Sequence, residues 1–381
     1  MPVAKFRSAQ QLLTGSGAID QLRDYLQSQN IQHPLLVTDK GVRRSGSLAY
    51  ITEAVGTSDM GIFDEVPAEP EVDVVKACAN YFGNHNFDGI IAVGGGSAID
   101  IAKCTAVMAS HEGSLESLFG EGMVKQRNVP LIAIPTTAGT GSEVTNIAIL
   151  SDPKAQLKKG IVSDYLLPDL AIVSPEMTLT CPPSVTAASG VDALVHAIEA
   201  YLSNFASPIT NALATKAMTL IINALPKAYA KPDNMSARED MATGSLLAGL
   251  AFGNAGVGAV HALAYPLGGR YHISHGVSNA LLLPHVMQVN KMACIERFSD
   301  IAIAFGESPE LDHHSAANRV IERLHALCRD VNIPANLRAL NIPEQDLPSL
   351  AEEALGVERL LRNNPRTLSL QDILGIYQAA F

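Results

Sequence analysis

Along the first half of the chain, short apolar runs alternate with stretches of helical spacing. "PLLVTDKG" (34–41) predicts a strand ending in a turn, "FDGIIAVGGG" (87–96) a buried strand running into glycines, and "VPLIAIPTTAGTGSE" (129–143) a third strand. Between the first two, "PEVDVVKACANYF" (70–82) repeats its apolar residues at helical intervals. Strands separated by helices imply a parallel sheet covered on both faces. After "PDLAIVSPEMTLTCPPSVTAASG" (168–190) the pattern changes. From about Pro182 the apolar spacing is helical, turn signals are sparse and no strand pattern recurs. The reading is an α/β domain over 1–181 followed by an all-helical domain over 182–381.

Composition narrows the function classes. A chain of 381 residues, 47% of them hydrophobic, can bury two cores. Its 27 basic and 38 acidic side chains leave a net charge of −11, which argues against nucleic acid or an anionic membrane as a partner and favours small molecules. Cys78, Cys104, Cys181, Cys294 and Cys328 are odd in number, dispersed and never spaced CxxC, so neither a disulfide framework nor a thiolate zinc site is encoded. That usage suits a reducing cytoplasm, and "MPVAKFRSAQ" lacks the apolar core of a signal peptide. From Met241 to Gly269 no Asp, Glu, Lys or Arg occurs, a length that could span a bilayer. Its many glycines, with Asn254 and His261, favour instead a helix-turn packed inside a protein core.

Two glycine-rich turns suggest an anion site. "AVGGGSAIDIAK" (92–103) reads as a strand, three glycines and a serine opening a helix, where close backbone approach and exposed N–H groups suit a phosphate. The spacing is not GxGxxG, because Ile99 stands where the third glycine belongs, so a tight turn without ligand is an open alternative. "PTTAGTGSE" (135–143) follows another strand, and two such loops can flank one pyrophosphate. Asp39 ends the first strand, where a carboxylate suits the ribose hydroxyls of NAD or serves simply as a turn residue. Taken together, the three positions favour a dinucleotide site.

The second half carries a candidate metal set. In "SGVDALVHAIEAY" (189–201), Asp192 and His196 lie one helical turn apart, with Glu199 on nearly the same stripe; a plain hydrogen bond would use the same spacing. "HALAYPLGGRYHISHG" (261–276) adds His261 and His275. One carboxylate and three imidazoles form a four-ligand set for Fe(II) or Zn(II) that leaves a position for substrate. His272 and His285 could line the same cleft, whereas His33, His85, His111, His313, His314 and His325 read as surface or loop residues.

The motifs "GGGSAID", "IPTTAGTGSEVT", "GVDALVHAIEAY" and "HALAYPLGG…HGVSNALLLPH", in this order over nearly the whole chain, closely resemble those of the iron-containing (group III) alcohol dehydrogenases. The resemblance implies a Rossmann-like dinucleotide-binding domain with a parallel sheet and an all-α C-terminal domain, an architecture shared with dehydroquinate synthase, and a cleft holding NAD(P) and metal. It implies reversible hydride transfer between NAD(H) and a small primary alcohol or aldehyde, with Fe2+ or alternatively Zn2+ acting as Lewis acid. By motif position it implies metal ligation by Asp192, His196, His261 and His275. It places the adenosine ribose at Asp39, the pyrophosphate at Gly95, Gly96 and Ser97, further cofactor contacts at Thr136, Thr137 and Thr145, and the nicotinamide ribose at Lys158; Lys159 reads as a surface residue. Family habit suggests a homodimer or larger homo-oligomer.

One departure stands out. Many members carry a histidine four residues after the third ligand, where this chain has Tyr265 as the candidate catalytic proton relay. A tyrosine hydroxyl, with an ordinary pKa of about 10, is a weaker base near neutrality. Tyrosine there resembles the hydroxyacid-oxoacid transhydrogenase branch, and Arg270, if turned inward, would favour a carboxylate substrate, as in a 4-hydroxybutyrate-type dehydrogenase. A zinc polyol dehydrogenase is a further alternative on this fold. A dehydroquinate synthase-like lyase would need a basic cluster, which Lys216, Lys227, Lys231, Arg238 and Arg270 do not form in the sequence.

Overall fold

The computed structural model describes residues 3–55, 60–152 and 157–381. They fall into two compact units, Arg7–Cys181 and Pro182–Phe381, the latter taking in residues 3–6.

The first unit is built on a six-stranded sheet of β1 (Gln11–Thr14), β2 (Pro34–Val37), β3 (Gly61–Phe63), β4 (Gly89–Gly94), β6 (Leu131–Pro135) and β9 (Leu170–Val173), every pair parallel, in the order β1-β9-β6-β4-β2-β3. The central strands PLLV, GIIAVG, LIAIP and LAIV are buried throughout, as an apolar run with both faces covered must be. Alternation divides their side chains between two cores. Leu35, Val37, Ile90, Ala92, Leu131 and Ala133 join one cluster with α4 (Val72–Gly83) and α5 (Gly96–Met108). Leu36, Ile91, Val93, Ile132 and Ile134 join the other, with α1 (Leu22–Ser28) and α3 (Leu48–Val55). Between these last two lies α2 (Lys40–Ser45).

A second, three-stranded sheet was not anticipated from the apolar pattern. It contains β5 (Gly120–Glu121), β7 (Ile147–Asp152) and β8 (Leu157–Val162), with β7 and β8 antiparallel.

The second unit holds no strand among the described residues. Its helices are α6 (Pro183–Leu202), α7 (Pro208–Ala230), α8 (Met235–Ala255), α9 (Ala259–Tyr271), α10 (His275–Asn290), α11 (Ile295–Ala304), α12 (His313–Asp330), α13 (Leu347–Leu355), α14 (Glu358–Leu361) and α15 (Leu370–Ala379). Helices α6, α7 and α8 pack mutually, and α6 is buried continuously from Gly190 to Leu202. Gly190 permits the close approach of α6 and α7, since a Cβ there would stand 2.4 Å from Leu225 Cδ1. The uncharged stretch 241–269 breaks into α8 and α9, bent by 100°. Gly256 at the break has φ +79°, a left-handed conformation suited to glycine. No single helix among the described residues is long and apolar enough to cross a membrane.

Candidate functional site: a strand-edge cradle and a histidine–carboxylate cluster

In the α/β unit, the chain passes outward from β2 to β3 and returns to β4 on the other side of β2. In open parallel sheets, the carboxyl edge at such a reversal is where ligands bind. Asp39 follows β2 and caps α2, its Oδ1 accepting from Gly41 N–H at 2.7 Å and Val42 N–H at 2.9 Å. Its Oδ2 faces the end of β4, 3.6 Å from where a Gly94 Cβ would sit. That Cβ would also lie 2.7 Å from Ala98 Cβ, so the strand-to-helix turn has no space for one. Gly95 precedes α5 without any side-chain cap, and the first N–H groups of α5 are of the kind left for an anion.

The second glycine loop closes against the first. Thr136 N–H donates to Gly94 O at 2.9 Å, and a Cβ on Gly95 would lie 3.5 Å from Thr137 Oγ1. Gly95, Gly96, Thr136 and Thr137 are therefore neighbours. Ser97 Oγ donates to Ala68 O at 2.6 Å, while Lys158, its side chain 6% exposed, donates to Glu69 Oε2 at 2.6 Å. Segment 68–69 thus holds both. Thr145 is set apart, because it is buried and its carbonyl and hydroxyl both accept from the fully buried Lys103. Lys159 pairs with Asp152 at 2.8 Å and is about one-third exposed.

In the helical unit, the i, i+4 spacing on α6 sets Asp192 and His196 on one face. His261 lies in the first turn of α9, and His275 opens α10. One ligating atom from each of the four lies within 4.8 Å of all the others. His196 Nε2 is 3.9 Å from Asp192 Oδ2, and His261 Nε2 and His275 Nε2 are 3.9 and 4.0 Å from Asp192 Oδ1. These separations are too long for hydrogen bonds. They suit atoms that each stand about 2.1 Å from a shared cation. Asp192, His196 and His261 are buried, whereas the His275 side chain is 32% exposed, so the cluster opens on its side.

The surroundings fix these side chains. His196 stacks between Phe252 and His261, with ring centroids 4.2 and 4.8 Å away. Asn279, one turn into α10, donates to Asp192 Oδ1 at 2.7 Å. Burial opposes ionisation of Asp192, but the three imidazoles and Asn279 outweigh it and hold the carboxyl below its ordinary range. Glu199, also on α6 and buried, has Oε1 2.6 Å from Val260 N and Oε2 2.6 Å from His261 Nδ1. The atom His261 turns toward the cluster, Nε2, is buried without a hydrogen-bond partner. A buried polar atom left unmatched beside a carboxylate and two further imidazoles fits a divalent cation.

The other histidines are outside the four-residue group. His272 is an exposed left-handed residue ending α9. His285 meets His325 edge-on at 5.6 Å and is pushed down to about 4 by burial and by that neighbour. His325 is therefore a half-buried residue of α12, not a surface or loop residue as its sequence context suggested. Arg270 is engaged by α13 and the turn before it: Nη1 donates to Ser349 Oγ at 2.6 Å and lies 3.4 Å from Glu353, with Asp346 at 3.7 Å from Nη2. Tyr265 is half-buried on α9, one turn beyond His261.

A parallel-sheet unit with a glycine-lined strand edge and a helical unit with a four-ligand cluster are the parts of a metal-dependent dehydrogenase. Sequence profiles agree: that described as "Iron-containing alcohol dehydrogenase" matches residues 9–175, and "Fe-containing alcohol dehydrogenase family, C-terminal" matches 186–381. The chain belongs to the iron-containing alcohol dehydrogenase family. It is 45% identical over 374 residues to long-chain-alcohol dehydrogenase 1 of Geobacillus thermodenitrificans, covering 96% of this chain and 94% of that one. Among solved structures it resembles a 1,3-propanediol oxidoreductase, with TM-score 0.96, 39% identity and all of both chains covered. It also resembles a sulfoacetaldehyde reductase from Bifidobacterium kashiwanohense in complex with NAD+, with TM-score 0.91, 31% identity, and 100% and 99% of the two chains covered.

Proposed function

We propose that this enzyme transfers hydride reversibly between NAD(H) and a small primary alcohol or its aldehyde, with divalent iron held by Asp192, His196, His261 and His275. The observation that carries the reading is the buried, unmatched His261 Nε2 facing a carboxylate and two more imidazoles. Bound there, iron supplies Lewis acidity toward a substrate oxygen, and the nicotinamide supplies or accepts the hydride. Asp192 contributes one negative charge and neutral imidazoles none, so a divalent cation held by this set would keep net positive charge toward a substrate oxygen. Tyr265 holds and passes the alcohol proton at its hydroxyl, with the weaker basicity of a phenol. Asp39 accepts from the ribose hydroxyls through Oδ2 while Oδ1 caps α2. Gly95, Gly96 and Ser97 would offer backbone N–H groups to the pyrophosphate, and the adjoining Thr136 and Thr137 would add cofactor contacts. Thr145, held by its bonds to Lys103, would add a further cofactor contact, and Lys158, paired with Glu69, would serve the nicotinamide ribose.

The named relatives act on long-chain alcohols, 1,3-propanediol and sulfoacetaldehyde, so the family frame accommodates several carbon skeletons. Arg270 is engaged with acidic residues, which removes one support for a carboxylate substrate. Cysteines without a disulfide support a reducing cytoplasm, and we retain a homodimer or larger assembly as the working state.

Protein stripped of metal and reloaded anaerobically is expected to oxidise NADH with short aldehydes after Fe(II) and much less after Zn(II). If neither metal restores the rate, the alcohol reading fails and oxo acids become the substrates to test. His261→Ala is expected to abolish turnover while leaving NADH binding, read by fluorescence, intact; an active, metal-free variant would overturn the ligand assignment.

A further inference from the structure

We propose that Glu199 is a positioning residue that selects the metal-binding tautomer of His261 and anchors the helix carrying it. This rests on the metal reading above. The observation is a buried carboxylate with each oxygen on a different nitrogen: Val260 N–H donates to Oε1 at 2.6 Å, and His261 Nδ1 lies 2.6 Å from Oε2. An ionised carboxylate only accepts, so Nδ1 carries the imidazole proton and Nε2 keeps its lone pair. Nε2 is the atom that faces Asp192 and lacks any hydrogen-bond partner.

The same carboxylate serves the start of α9. Gly258 precedes that helix without a side-chain cap, so the Val260 N–H would be unpaired in a buried place without Glu199. A Cβ at Gly258 would stand 3.3 Å from Glu199 Oε1, tighter than an ordinary contact, which matches an approach made close for this bond. Glu199 also stands two turns from Asp192 on α6. One helix therefore supplies two ligands and the group orienting a third, and the distance from α6 to His261 is set by two short hydrogen bonds.

Glu199→Gln tests this with almost no change in volume. Glutamine offers one carbonyl to two donors. If that carbonyl stays on Val260 N–H, the amide NH2 faces Nδ1, and His261 must move its proton to Nε2, the ligating atom. Zinc affinity of the metal-free protein, measured by competition with a chromophoric chelator, is expected to fall about 10–100-fold, the usual effect of losing such a partner. The second readout is made on the wild-type protein: 15N NMR of the histidine rings should show His261 protonated at Nδ1, metal-free and zinc-loaded, with His261→Asn serving only to assign its signal. A wild-type ring protonated at Nε2, or Glu199→Gln binding zinc within twofold of wild type, overturns the proposal while leaving the metal reading intact. Wild-type protein that fails to bind zinc or iron stoichiometrically overturns both.

Discussion

Asp39 uses its two oxygens for different ends, one capping α2 and the other facing the turn after β4. Asp39→Gly separates these uses, because glycine at a cap position costs only a few tenths of a kcal/mol. Its effect should fall on cofactor choice. A carboxylate about 4 Å from a phosphate charge costs about 1 kcal/mol per charge pair in water. The ratio of kcat/KM for NADH over NADPH is therefore expected to drop about tenfold. An unchanged ratio would show that Oδ2 does not meet the ribose. At this scale the proposed ligands were legible in the sequence where spacing alone speaks: Asp192 and His196 one turn apart, with His261 in an uncharged stretch and His275 just beyond Arg270. Glu199 stood on the same stripe but had no visible role, because its partners, Val260 and His261, lie 61 and 62 positions away. Asn279 was unreadable for the same reason.

Helix α5 carries more than the phosphate turn at its start. Lys103, fully buried, donates from Nζ to Thr145 O at 2.8 Å, Thr145 Oγ1 at 3.2 Å and Ile147 O at 2.8 Å, fastening α5 to the chain that leaves the second glycine loop. Burial depresses its pKa, which Asp100 and Glu143 oppose; burial lifts Glu143 to about 7. Lys103→Met removes the cation and takes the donor from the buried Thr145 carbonyl and the half-buried Ile147 carbonyl. The expected loss, as for other broken buried pairs, is about 3–5 kcal/mol in urea unfolding, with zinc binding unchanged because the ligands lie in the other unit. A loss below about 1 kcal/mol would show that water replaces the ammonium. The three strands recognised in the sequence are central ones whose apolar runs are unbroken. β1 is mostly exposed at the sheet edge, and β7 alternates half-buried with buried residues, so neither presents the continuous apolar signal of a central strand.

At the scale of the whole molecule, the proposed metal ligands come from three separate helices of one unit. A metal bound at a hundred times its dissociation constant adds about 2.7 kcal/mol to the folded state. Chelation is therefore expected to lower Tm by about 5–10 °C in scanning calorimetry. His261→Ala should show no further fall with chelator; an equal fall would place the stabilising ion elsewhere. The change from alternating strands to uninterrupted helix was legible, because periodicity reports local burial; the order of strands in the sheet was not, because register depends on partners far along the chain.

The spread of the ligands from Asp192 to His275 also imposes an order of events during synthesis. The chain emerges from the ribosome N-terminus first, so the sheet and its glycine loops are complete before the first ligand appears. Asp192 and His196 then wait through two long helices for His261, and the full coordination set exists only after His275 has emerged. Loading of the proposed metal is thereby a late step in the birth of the enzyme, and a complete α/β unit precedes it.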